Sequence, residues 1–194
     1  MTMTVSPSIA PPTKPLTLAE YLALPEGETG YELLDGQAIA KMSPKRFHSR
    51  TQKTLLYILE HWCQERGDVA IEWAVTLMRR GQDWVPIPDV LYISYDRLPR
   101  DWLEDGPCPM APELAIEIIS PDQSFGTIVG KATDYLAAGV LRVWVVDPQA
   151  KSITVFYPDA APRTFTGETL LTDEVLPDLQ LTAQQVFQQA GLWP

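Results

Sequence analysis

The run Leu114-Ala115-Ile116-Glu117-Ile118-Ile119 decides the fold. It is apolar on both faces apart from one glutamate, the pattern of a central strand covered on both sides. Downstream, Phe125, Ile128, Val129, Ala132, Tyr135 and Leu136 fall on one helical stripe, and Gly139 supplies the stop. Leu141 to Val146 reads as another buried strand and Ser152 to Tyr157 as a further one, with Asp147-Pro148 opening the turn between them. The tail, Leu179 to Gln189, reads as a strand end and a short helix.

Upstream of the central run, residues 97–112 form a Pro- and acid-rich loop. Before it, Trp84 to Ser94 reads as a strand arm whose prolines, Pro86 and Pro88, sit at its beginning, where a strand tolerates them best. Residues 69–78 are strand-like, and Arg79-Arg80-Gly81-Gln82 turns the chain. Phe47, Leu55, Leu59 and Trp62 predict a long helix over 46–66 that ends at Gly67. Asp35-Gly36, between apolar-alternating arms, is a hairpin signal. Thr17 with Glu20 three residues on is a capping box for a short helix, Leu18 to Leu24. Residues 1–15, rich in Pro, Ser and Thr, read as a flexible N-terminal arm, and residues 16–194 as one domain. The order predicts an α/β sandwich around one mixed sheet flanked by helices.

With 194 residues, 45% of them hydrophobic, the chain can bury a real core. Fifteen Lys and Arg against 25 Asp and Glu leave a net charge of −10, which argues against charge-driven wrapping of DNA. The charge is uneven. Residues 41–53 hold Lys41, Lys45, Arg46, Arg50 and Lys53 and no acid, a segment of +5 in a chain whose remainder is −15. Such a patch can hold phosphates or be a solvated helix face. Cys63 and Cys108 belong to no CxxC or Cys/His cluster, so neither a disulfide framework nor a zinc site is expected. The first 15 residues lack the basic and apolar blocks of a signal peptide, and no apolar stretch reaches the ~20 residues that span a bilayer. A cytoplasmic protein without membrane contact is expected. Walker A, GxGxxG, GxSxG and HExxH motifs are all absent.

Glu117 is the most informative residue. Inside a two-sided apolar strand it must be protonated, paired with a cation or bound to a metal. Asp89 shares a strand face with Leu91 and Ile93. If the two strands pair, two carboxylates converge, and two hard oxygen ligands plus waters are a typical Mg²⁺ site. Asp89 can equally be a turn residue after Pro88. Lys131 borders the buried stripe of its helix, where it can snorkel or reach over the sheet end to the carboxylates. His48 opens the first long helix, as a proton donor or simply as a polar helix-start residue.

The runs Tyr31-Glu32-Leu33-Leu34-Asp35-Gly36, Pro88-Asp89-Val90, Ile116-Glu117-Ile118-Ile119-Ser120-Pro121, Lys131-Ala132-Thr133-Asp134-Tyr135 and Gly139-Val140 to Trp144-Val145-Val146-Asp147-Pro148 occur in that order. As an ordered set they resemble the Uma2 (DUF820) family, abundant in cyanobacteria, over roughly Thr17 to Phe187. The resemblance implies a restriction-endonuclease-like fold of the PD-(D/E)xK superfamily. It makes Asp89 the aspartate of the first motif and Glu117 the acid of the second. The lysine expected two residues after Glu117 is Ile119 here; the family pattern places it on the following helix, at Lys131, with Tyr135 in support one turn on. Glu32 matches an early glutamate and could join Asp89 and Glu117 around Mg²⁺ or Mn²⁺. Many relatives carry an acid where this chain has Thr127. Lys45, Arg46, His48 and Arg50 are the candidate DNA contacts, and a homodimer is implied by how this fold cuts duplexes.

Three functions remain open at this point. One is a Mg²⁺-dependent endonuclease hydrolysing DNA phosphodiester bonds with Asp89, Glu117, Lys131 and Glu32. The second is a non-catalytic module of the same fold that binds nucleic acid or a protein partner. The third is a two-carboxylate glycosidase built on Asp89 and Glu117.

Overall fold

The computed structural model describes residues 14–25, 30–120 and 123–193. The N-terminal arm expected over 1–15 falls almost wholly outside the described residues. In chain order the elements are α1 (Leu18–Leu22), β1 (Tyr31–Leu34), β2 (Gln37–Ala40), α2 (Arg46–Cys63), β3 (Gly67–Ile71), β4 (Leu77–Arg79), β5 (Gln82–Trp84) and β6 (Val90–Ser94). There follow β7 (Leu114–Ile118), α3 (Phe125–Ala137), β8 (Arg142–Asp147), β9 (Ser152–Phe156), β10 (Arg163–Thr166), β11 (Leu170–Asp173), β12 (Leu176–Thr182) and α4 (Ala183–Gln189). Six strands form one sheet in the order β10-β9-β8-β7-β6-β3. Only β7 and β8, joined through α3, run parallel, so the sheet is mixed as expected.

The Leu114–Ile118 strand is buried at every position. Its alternation sorts the core into two layers. Leu114, Ile116 and Ile118 join Val90, Tyr92, Trp144 and Val146 against Leu55 and Leu59 of α2 and Val186 and Phe187 of α4. Ala115 joins Leu91, Ile93, Val143 and Val145 against Ile128, Ala132 and Tyr135 of α3. By the same parity Asp89 and Glu117 project toward α3, at the end of the sheet.

Local signals hold where the chemistry is local. Thr17 and Glu20 form both bonds of the capping box. Asp35 and Gly36 take φ of 51° and 72°, as a two-residue hairpin with a right-handed twist requires. α2 ends at Cys63 rather than at 66 because Gln64 turns to a φ of 46°. Two expected strands are each divided. The stretch 69–78 breaks after Ile71, where Glu72 has a φ of 51°, and resumes as β4. The arm 84–94 breaks across Pro86 and Pro88, neither of which can donate to a sheet. That interruption lets Val85 bridge Leu33, which docks the β1–β2 hairpin beside the sheet end. Arg79 ties the hairpin turn to α3, bonding Asp35 at 2.8 Å and Asp134 at 2.6 Å. Cys63 and Cys108 are free and buried. Among the described residues no helix is long and apolar enough to cross a membrane.

Candidate active site

β6 and β7 pair antiparallel with Val90 opposite Ile116, and the Asp89 N–H donates to the Ile116 carbonyl at 3.0 Å. Asp89 and Glu117 therefore sit across from one another on neighbouring strands. Both open on a cleft of about 650 Å³, whose walls include Glu32, Lys41, His48 and Lys131.

Asp89 is 3% exposed and fully engaged. Its Oδ2 accepts from the Ile118 N–H at 2.7 Å and lies 3.0 Å from His48 Nε2. Its Oδ1 lies 2.9 Å from Lys41 Nζ, which also donates to the Ile87 carbonyl at 3.2 Å. Gln52, buried on α2, donates to the Asp89 carbonyl at 2.9 Å. Burial by itself would raise this carboxyl, but the His48 hydrogen bond, the charges of Lys41 and His48, and the Ile118 N–H outweigh it and hold it at about 2.

Glu117 is the opposite case. Its Oε1 accepts from the Tyr135 hydroxyl at 2.9 Å and pairs with Lys131 Nζ at 2.9 Å. Burial raises its carboxyl; Lys131 pulls the value down, the nearby charges of Asp89 and Glu32 push it up, and the result is about 7. Lys131 bridges Glu117 to Glu32, 2.7 Å away. Burial opposes its charge, but the two glutamates hold the ammonium more firmly protonated than an ordinary lysine. Tyr135 packs against Trp84 with ring centroids 4.8 Å apart, and burial followed by the Glu117 charge raises its hydroxyl well above the usual phenol range.

Sequence reasoning brings together Asp89, Glu117, Lys131, Glu32, Tyr135 and His48, and all six meet here. The arrangement differs from expectation in two ways. Glu32 does not close a three-acid cluster: its Oε1 accepts from the Ile87 N–H at 3.0 Å and from Lys131. Among the described residues no group of three or more His, Cys, Asp and Glu is gathered so as to hold a metal ion. The basic segment is also dispersed. Lys41 and His48 turn inward to Asp89, Arg50 donates to the Ala190 carbonyl beside α4, and Lys45 and Arg46 line a small cavity at the cleft edge. Tyr135 is fully buried and donates its hydroxyl to Glu117. Lys41 and Gln52 are the residues that sequence reasoning passed over as site members. Lys41 was one cation of a run, and nothing local to it announces a partner at Asp89.

The donor set suits a hard divalent cation. Two carboxylates on adjacent strands leave room for waters as further ligands, the usual way Mg²⁺ is held. Glu117 is kept from ionising easily first by its burial and then by the charges of Asp89 and Glu32.

An α/β sandwich with paired acids at the end of adjacent strands, and a lysine reaching them from the following helix, is the layout of a restriction-endonuclease-like nuclease. The chain belongs to the Uma2 family, whose model, described as "Putative restriction endonuclease", matches residues 18–184. Among solved structures, a chain from Anabaena variabilis ATCC 29413, described as "a putative nuclease belonging to DUF820", is similar at 27% identity with a TM-score of 0.79, covering 91% of this chain and 99% of that one. No curated protein matches the chain.

Proposed function

We propose that the protein is a divalent-metal-dependent endonuclease that hydrolyses DNA phosphodiester bonds, with Asp89 and Glu117 holding Mg²⁺ or Mn²⁺. The observation that carries this reading is the pairing of these two acids across β6 and β7, beneath Lys131. Asp89 and Glu117 would hold the ion, whose chemistry there would be to acidify a water and polarise a phosphoryl oxygen. The chain's own groups do the rest. Lys131, held protonated by the two glutamates, is an electrostatic partner for charge that develops on the phosphate. Glu32 and Tyr135 are positioning residues, one fixing the Lys131 ammonium and the other the Glu117 carboxylate. His48 and the Ile118 N–H orient Asp89. By resemblance to the way this fold often cuts duplexes with paired subunits, a homodimer is expected, measurable by light scattering with and without DNA.

The test is Mg²⁺-dependent cleavage of DNA by wild type, Asp89→Ala and Glu117→Ala, with thermal melts to verify folding. Loss in both folded variants is expected, and unchanged cleavage in both sinks the reading. A second reading draws on the fact that each acid already has an ammonium partner, Lys41 on Asp89 and Lys131 on Glu117. A non-catalytic module of this kind binds nucleic acid in a salt-sensitive way that persists in chelator. Calorimetry with Mn²⁺ on wild type and Glu117→Gln separates the two, because only the enzyme has an ion site to lose.

A further inference from the structure

We propose that the cleft continues into a stacking subsite for an unpaired nucleobase, so that the strand engaged is single-stranded or locally opened. This deepens the nuclease reading and rests on it. The point of departure is Ile119, an apolar residue two positions beyond Glu117. It is partly buried against the α3 side of the core. Its outer surface floors two small cavities, one of about 210 Å³ and one of about 140 Å³, which share Gln149 as well. Each is walled by an exposed phenyl ring: Phe47, 49% exposed, in the first, and Phe125, 50% exposed, in the second. Both cavities border the main cleft, the first sharing His48 with its walls and the second sharing Ser120 and Gln123.

Two half-exposed phenyl rings flanking an apolar floor leave flat apolar surface in water, beside a site built for phosphates. A nucleobase offers the complementary flat face, and stacking on aromatic side chains is tolerant of sequence. In a duplex both faces of each base are covered by its neighbours, so only an unpaired or extruded base can enter such a slot. Arg46 lines the cavity of Phe47 and presents a cation to the phosphate of the stacked nucleotide. Asp147, which lines the second cavity, has its Oδ1 engaged by the N–H groups of Gln149 and Ala150.

The experiment measures binding of the full chain, in chelator, to a fluorescent single-stranded oligonucleotide, to its duplex, and to a single strand carrying 2-aminopurine. Single strands are expected to bind at least about tenfold more tightly than duplex and to quench 2-aminopurine. Phe47→Leu and Phe125→Leu should each weaken single-strand binding by about tenfold and reduce the quench, with duplex binding and thermal stability unchanged. Arg46→Ala should lower both affinities and the salt slope. Equal affinity for the two forms, or Leu variants that bind single strands like wild type, overturns the subsite. Its failure is distinct from failure of the nuclease reading, which Asp89→Ala and Glu117→Ala decide through cleavage.

Discussion

Replacing Glu117 with Gln should make the metal-free protein more stable at high pH, though it removes one side of an ion pair. The Glu117 carboxyl, 4% exposed, rises from an ordinary 4.5 to about 7 in the folded chain. An acid whose folded value is raised binds its proton more tightly in the native state. Its ionisation therefore costs nothing below about pH 4.5, costs progressively more as pH climbs through about 7, and costs a constant amount above that. At roughly 1.4 kcal/mol per unit, the full cost is on the order of 3 kcal/mol. Glutamine keeps the shape and an oxygen for Tyr135 and Lys131 but carries no charge to bury. Urea unfolding in chelator at about pH 5 and about pH 8.5 reads the difference. Wild type should lose about 2.5 kcal/mol relative to Glu117→Gln between the two, about 5–10 °C in melting temperature for a chain of this size. Parallel pH profiles for the two proteins would falsify the account, since they would mean that Lys131 alone compensates Glu117.

Asp89 should behave in the opposite sense. Held at about 2 against an ordinary 3.8, it stabilises the fold above about pH 4 and loses that contribution as pH falls through about 2. Asp89→Asn should cost about 2 kcal/mol near neutrality, and the gap to wild type should narrow in acid unfolding curves. Lys41→Met frees Asp89 Oδ1 of its ammonium, so calorimetry should find Mn²⁺ bound about tenfold more tightly than by wild type; equal or weaker binding contradicts competition at that oxygen. Gly67→Ala should destabilise by about 1–3 kcal/mol by chemical denaturation, because a Cβ there would meet the Ile93 carbonyl at 2.3 Å and Ser94 Cα at 2.8 Å, both backbone atoms of the partner strand.

What could be read from the residues was what their own neighbours determine. The β7 strand declared itself by unbroken apolar character, and the single acid within it identified the site. Asp89 followed from parity with Leu91 and Ile93, once the two strands were supposed to pair. Signals that depend on distant partners stayed silent. Lys41 meets Asp89 only because the hairpin docks through Leu33 and Val85. Nothing near Arg50 in sequence announces that its Nε donates to the Ala190 carbonyl at the end of α4. β10 is four residues long with only Phe165 buried, too short for any periodicity to stand out. The break at Glu72 comes from a left-handed turn that its neighbours do not announce, and the break across Pro86 and Pro88 from two residues that cannot donate to a sheet.

That docking has a kinetic side. The contacts that build the cleft join residues far apart along the chain: Glu32 to Lys131 across 99 positions, His48 to Asp89 across 41, and Asp89 to the Ile118 amide across 29. Closing loops of that length is entropically costly and slow, so such pairings form once the central strands are already in place. A partly folded chain therefore presents two unguided acids and a stray lysine rather than a working cleft. Nascent or damaged copies should be inert toward nucleic acid until the whole sheet has closed. The Ile118 amide is the reporter: held by Asp89 in the middle of the assembly, its hydrogen should exchange only through global unfolding.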